Sequence, residues 1–366
     1  MSEGRADRVV SRLAELDLDV LLVGDLVRPG DSGRDAGSNV RWLTGFSGTS
    51  GLAVVGADRR ALVTDFRYTQ RAEREAFGDF ERVIAERELI PAAVELLRGR
   101  VGYDDAQTSV KNLRRLEEMA GEELELVPAA GVVEDLRRRK DDGELGAIAE
   151  AASLTDQVYE WVFERGVVGR SEREIMLAAH QRMRELGAED PSFPAIVAAG
   201  ENGAVPHHDS SGRKVQRDEL LLIDMGAIVD GYCSDCTRTV ATGDLGDDAT
   251  GAYELVRSAQ RSALDAIRAG VAARDADAAA RDPITAAGLG DAFGHGLGHG
   301  VGLEVHESPR LGRTSDHTLE AGDVVSVEPG VYLPGRFGIR IEDLVTVTDQ
   351  GLRNLSAFPK ELVVVD

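Results

Sequence analysis

Lysine is almost missing from this chain: Lys111, Lys140, Lys214 and Lys360 are the only four in 366 residues. Arginine carries the rest of the positive charge, a compositional bias that says nothing about function. Acids still outnumber bases, for a net charge of −23. A surface with so large an acidic excess does not suit a polyphosphate, so no nucleic-acid partner is expected. Cysteine is scarcer still. Cys233 and Cys236 form one Cys-x-x-Cys, which excludes a disulfide framework and, with no second pair, argues against a zinc knuckle. No apolar run approaches the roughly 18 residues that a membrane span needs. The opening MSEGRADRVVSRLAELD lacks the apolar core of a signal peptide. These absences lead us to expect a cytoplasmic protein that uses no membrane.

The composition otherwise fits an ordinary globular protein, at 42% hydrophobic and 29% charged residues. The length allows two domains. Residues 5–24 read as a helix and then a buried strand, DVLLV, and 24–38 as an exposed Gly/Asp/Arg loop. A hairpin follows with strands at 51–55 and 60–64. Helical patterns at 68–77 and 91–98 alternate with strands near 83–85 and 100–103, so residues 1–127 are expected to form an α/β domain. The stretch LELVPAAG (124–131) is the candidate boundary, with residues 128–142 as linker and helix start. Residues 143–366 form the second domain. Helices are expected at 144–164, at 171–187 behind the capping box Ser171–Glu174, and at 250–269.

The richest stretch is GHGLGHGVGLEVHESP, from Gly294 to Pro309. Five alternating glycines make a helix a poor reading of His295 and His299. Alternation by two is the strand period and sends both histidines to one side. The glycines leave the other face bare, where another backbone, a metal cluster or a substrate can approach. The plainer reading is a Gly-rich loop with solvent histidines. Three of the seven histidines within twelve residues favour chemistry.

Two carboxylate-bearing hairpins stand on either side of this stretch. LLIDMG places Asp224 at the end of an apolar strand, Asp230-Gly231 is a strong turn signal, and the returning GYCSDCTRT carries Asp235. In the second hairpin VVSVEPGVY delivers Glu328 and IRIEDLV returns with Glu342. Carboxylates about 4 Å apart repel by roughly 4 kcal/mol at an effective dielectric near 20. Four together would unfold the site or take up protons. Two divalent cations would cancel the charge, and four carboxylates with an imidazole suit Mn²⁺, Co²⁺, Fe²⁺ or Zn²⁺ over thiophilic ions. Shared carboxylates would hold such ions roughly 3.5–4 Å apart, as in two-metal hydrolases.

Asp224, Asp235, His299, Glu328 and Glu342, in that order and in those contexts, resemble the ligands of the pita-bread metallopeptidases, and most of all the proline-peptidase branch. NVRWLTGFSGTSG and TDFRYT resemble that branch's creatinase-type N-terminal domain. VPHH, LIDMGA, SDCTRT, GHGLGHGVGLEVHE, VEPGVY and GIRIED resemble its catalytic motifs. The resemblance implies a creatinase-like α/β N-terminal domain and an α+β pita-bread catalytic domain. It implies two divalent metal ions per chain, Mn²⁺ foremost, with Asp224 on one ion, His299 and Glu328 on the other, and Asp235 and Glu342 bridging. Glu328 would also move protons. His207 would stand by the leaving group, His306 by the developing oxyanion, His295 and Arg340 at the substrate, and Tyr332 behind them. A homodimer acting on proline-containing peptides is implied as well.

The main expectation is an Xaa-Pro aminopeptidase, with an Xaa-Pro dipeptidase acting on dipeptides only as the alternative. A methionine aminopeptidase would lack the first domain. A metal-free hydrolase or a binding module of the same fold would have lost ligands that are all present here. His208 and His317 are expected to be surface histidines, His180 a packing or surface residue, and the two cysteines packing residues beside Asp235.

Overall fold

The computed structural model describes residues 4–24 and 37–366, so the expected loop at 24–38 lies almost wholly outside them. The chain divides into two compact units, Met1–Arg137 and Arg138–Asp366.

The first unit is built on a six-stranded mixed sheet: β1 (Val20–Val23), β2 (Gly51–Gly56), β3 (Arg60–Asp65), β4 (Glu81–Ala85), β5 (Arg100–Tyr103) and β6 (Glu125–Pro128), in the order β4-β3-β2-β1-β5-β6. β1, β2 and the Ala61–Val63 middle of β3 are apolar runs because both faces are covered, and almost every residue in these strands is buried. Helices α1 (Arg5–Glu15), α2 (Ser38–Thr44), α3 (Thr69–Glu75), α4 (Leu89–Val94), α5 (Val110–Ala120) and α6 (Val132–Arg137) complete the unit. Ala93, Leu97 and Leu116 pack on Leu22, Val54, Val63 and Val101. The stretch 124–131, read as the candidate boundary, lies just ahead of the division after Arg137, which falls within the expected 128–142 segment. Its LELVP becomes the edge strand β6, parallel to β5, because β5 still has backbone donors and acceptors to satisfy.

In the second unit α7 (Asp142–Glu164) and α8 (Glu172–Glu185) follow the expected helices, each opened by a capping box, at Asp141–Glu144 and Ser171–Glu174. They cover a sheet of β8 (Ile196–Ala199), β9 (Leu220–Met225) and β12 (Cys236–Ala241), where Val158, Ile175 and Met183 meet Val197, Leu221 and Ile223. The short β7 (Asp190–Pro191), β10 (Ala227–Val229) and β11 (Tyr232–Cys233) form a separate sheet. α9 (Asp247–Ala266) and α10 (Ala273–Ala286) pack on the other half. That half comprises β13 (Gly298–Gly300), β14 (Glu307–Leu311), β15 (Val324–Val327), β18 (Asp343–Thr348) and β19 (Gly351–Asn354), beside the hairpin of β16 (Gly330–Leu333) and β17 (Phe337–Arg340). α10 has no counterpart among the expected helices. Its RDADAAARDP is mostly alanine between charges, and Pro283 sits inside it.

The two carboxylate hairpins form, but neither is continuous. The first turns at Asp230-Gly231, both in the left-handed region at φ 48 and 82, with Val229 opposite Tyr232. Each long strand breaks where a carboxylate stands. Asp224 is one residue short of the break between β9 and β10, and Asp235 lies in the gap between β11 and β12. Glu328 falls between β15 and β16, and Glu342 between β17 and β18. A residue outside the ladder can turn its side chain away from the alternating faces, so three breaks can aim Asp235, Glu328 and Glu342 at one point, while Asp224 reaches it from within the β9 ladder, opposite Thr237.

Candidate metal centre

The expected ligands converge. The donor atoms of Asp235, His299 and Glu342 lie within 4.8 Å of one another. His299 Nε2 is 3.7 Å from Asp235 Oδ2 and 3.3 Å from Glu328 Oε1. Asp224 joins through Arg340, whose Nη2 donates to its Oδ2 at 2.6 Å. The two hairpins are stitched side by side: Glu342 N donates to Thr237 O at 3.1 Å, and Thr239 Oγ1 donates to Arg340 O at 2.9 Å.

Only a short part of the glycine-rich stretch is strand, at β13, and the close approach its glycines allow is used by backbone. A methyl at Gly298 would overlap the Ser326 carbonyl on β15, and one at Gly300 the Ser308 carbonyl on β14. His299 is thus clamped between two neighbours, with its N–H donating to Ser326 Oγ at 3.0 Å. The same hydroxyl donates to Glu328 Oε1 at 3.2 Å, so one serine sets both residues.

The electrostatics is lopsided. Burial, then Glu342 and Asp224, push the Asp235 carboxyl well above its ordinary range. Burial, then Glu328 and Asp224, do the same to Glu342. Asp224 is raised by burial against the pull of Arg340. Glu328 moves the other way: burial opposes ionisation, but the hydrogen bond and charge of His299 together with the charges of His295 and Arg340 outweigh it. Burial lowers His306, and the neighbouring His299, with ring centroids 4.2 Å apart, lowers it further. One guanidinium and one imidazole cannot neutralise four carboxyls.

Asp224 Oδ1 and Glu342 Oε1 are buried with no hydrogen-bond partner, although buried polar atoms are almost always satisfied. Orphaned acceptors beside a carboxylate–imidazole cluster fit divalent cations, and the hard donor set has no thiolate in it.

All ten residues singled out by sequence line one cleft of about 1090 Å³: Asp224, Asp235, His299, Glu328, Glu342, His207, His306, His295, Arg340 and Tyr332. Arg340 differs from expectation. It is buried, and its Nε, Nη1 and Nη2 already donate to Thr237 Oγ1, Tyr332 OH and Asp224 Oδ2. It braces the cluster where a substrate clamp was expected. Tyr332 OH also lies 2.9 Å from His295 Nε2.

His208 and His317 also line the cleft, which corrects the surface reading of both. His208 Nε2 lies 2.8 Å from the buried Glu172. His180 Nε2 accepts from Ala195 N at 2.9 Å. Both cysteines are buried and free.

Sequence reading missed Thr237, Ser326 and Arg310. Thr237 Oγ1 donates to Glu342 Oε2 at 2.7 Å. Arg310 stands directly opposite His299 across β13 and β14. Directly opposed residues share a face, so Arg310 rises into the cleft beside His299. Nothing in VHESPRL carries that pairing, because it depends on the register.

Residues 146–349 match the model of metallopeptidase family M24, and residues 5–139 that of the creatinase/prolidase N-terminal domain. The chain is 32% identical to the Xaa-Pro dipeptidase of Pyrococcus furiosus, over 87% of this chain and 91% of that one. Among solved structures, an Xaa-Pro dipeptidase from Bacillus anthracis matches with a TM-score of 0.92 at 34% identity, covering 99% of both chains. An X-Pro aminopeptidase from Thermotoga maritima matches at 0.88 and 33%, covering 97% of this chain and 100% of that one. With both family models matched along its length and these structures overlying nearly all of it, the chain belongs to metallopeptidase family M24 and carries a creatinase/prolidase-type N-terminal domain ahead of its pita-bread catalytic domain.

Proposed function

We propose that this metallopeptidase is an Xaa-Pro dipeptidase, which hydrolyses the bond before a C-terminal proline and holds the free carboxylate of its substrate with Arg310. The sequence favoured the aminopeptidase side. Two of the three similarities above are to Xaa-Pro dipeptidases, and they favour the alternative. The observation that carries the reading is the division of labour between two arginines. Arg340 is buried and engaged, whereas Arg310 is exposed in the cleft, opposite His299, and has no ion pair among the described residues. A guanidinium so placed matches a carboxylate bidentately.

Asp224, Asp235, His299, Glu328 and Glu342 would hold two divalent cations, Mn²⁺ being our first choice for a hard donor set. When bound, these ions supply Lewis-acid polarisation and a water acidic enough to ionise near neutral pH. Glu328, kept ionised by His299, is the base in our scheme and passes its proton to the leaving proline nitrogen. His306, held neutral by burial and by His299, donates a hydrogen bond to the charge that develops on the carbonyl oxygen. His207, exposed at the rim, faces the leaving group. His295 and Tyr332 flank the proline ring, which needs no partner for an N–H that it lacks.

The test compares Leu-Pro, Leu-Pro amide and Leu-Pro-Gly with Mn²⁺ added back. We expect turnover of Leu-Pro, a steep rise in KM on amidation, and a similar rise for Arg310→Ala acting on Leu-Pro. Tripeptide cleaved as well as dipeptide, with amidation tolerated, would return the assignment to an aminopeptidase.

A further inference from the structure

The histidine segment rests on an ion pair that belongs to no motif. On α10, Asp277 and Arg281 lie one helical turn apart, both buried, with Nε and Nη2 donating to the two carboxylate oxygens at 2.7 Å each. The pair also reaches outward. Arg281 Nη1 donates to Phe293 O at 2.8 Å and Nη2 to His295 O at 2.6 Å. Asp277 Oδ1 accepts from Leu297 N at 3.0 Å. The guanidinium lies 3.9 Å over the Phe293 ring, whose edge meets the His295 imidazole at 5.2 Å between centroids.

Replacing a buried ion pair by apolar side chains is often neutral or stabilising, so stability alone does not account for this one. Its geometry does. Three backbone groups in five residues, the carbonyls of 293 and 295 and the N–H of 297, are gripped from one side by two side chains that hold each other. Between them stands His295, whose Nε2 meets the Tyr332 hydroxyl. Arg340 donates to that hydroxyl at 2.8 Å, so the tyrosine proton points at His295. His299 is held separately, by Ser326 and by β14.

We infer that Asp277 and Arg281 are a positioning pair that fixes His295 against Tyr332 and so sets substrate binding without touching the substrate or the metal ligands. The role given to His295 rests on the proposed function; the clamp on its backbone does not. Arg281→Met, and the charge-free pair Asp277→Leu/Arg281→Met, are made in the wild type and in His295→Ala. We expect kcat/KM to fall roughly 10–100-fold in the wild-type background, chiefly through KM, with metal content unchanged and partial rescue by Arg281→Lys. In the His295→Ala background the same changes should cost about twofold or less, because additivity fails for residues that act through one another. Equal losses in both backgrounds, or loss of metal in step with activity, would overturn the inference. If Arg281→Met alone does not fold, the charge-free pair decides. If the wild type does not cleave Xaa-Pro at all, the proposed function fails by itself. The inference is then read from the imidazole ¹⁵N signal of His295, which shifts in Arg281→Met if we are right and stays in place if we are wrong.

Discussion

Protonating Glu172 should loosen the wall of the cleft, and the structure says by how much. Glu172 is the first residue of α8 and is fully buried. Its Oε1 accepts from Ala199 N at 2.9 Å and Asn202 Nδ2 at 2.8 Å. Its Oε2 accepts from His208 Nε2 at 2.8 Å, Ser211 N at 2.9 Å and Ser211 Oγ at 2.6 Å. Burial pushes this carboxyl up, but the donors from Ala199, Ser211, His208 and Asn202 outweigh it and bring it from an ordinary 4.5 down to about 2. The sign follows. A depressed carboxyl stabilises the fold fully above about pH 4.5 and loses that contribution as the pH falls towards 2. The difference is worth about 3 kcal/mol. Glu172→Gln keeps the shape but turns an amide NH₂ towards groups that are themselves donors. It should lose a similar amount at pH 7 and flatten the acid limb of the stability curve. Urea unfolding of wild type and variant between pH 3 and 7 measures both. Parallel pH dependences in the two proteins would refute the account, because Glu172 would then titrate alike folded and unfolded.

Chelation should abolish peptide cleavage and added Mn²⁺ should restore it, whereas Asp235→Asn should stay folded with weakened metal occupancy and almost no turnover. An active variant with two metals bound would show the ligands to be misassigned. Gly298→Ala drives a methyl into the Ser326 carbonyl, while Gly294 has nothing within 4 Å of the added carbon. The first change should cost about 1–3 kcal/mol and lower metal content, the second neither, as thermal melts and metal analysis would reveal.

The candidate ligands stand out in sequence because each sits in a short local signal. Asp224 ends an apolar run, Asp-Gly between strands is a strong hairpin-turn signal, and alternating glycines disfavour a helix. The charge count then pointed to cations, since burying four carboxylates together is a matter of Coulomb energy and needs no coordinates. The helices were equally plain, α7 from its apolar periodicity and α8 from its capping box. Other features depend on which strand lies beside which. The edge strand β6 looked like a linker because its LELVP is short and ends in proline, and only the open edge of β5 makes it a strand. The breaks that aim Asp235, Glu328 and Glu342 inward arise from bending two hairpins around one point. Arg340 faces Asp224, and Arg310 faces His299, through register alone. Asp277 and Arg281 read as two more charges in an alanine-rich stretch until α10 packs beneath Phe293. A sequence states which groups are available and what leaving them unpaired would cost. Their partners come from segments tens to hundreds of residues away, and tertiary packing alone chooses among them.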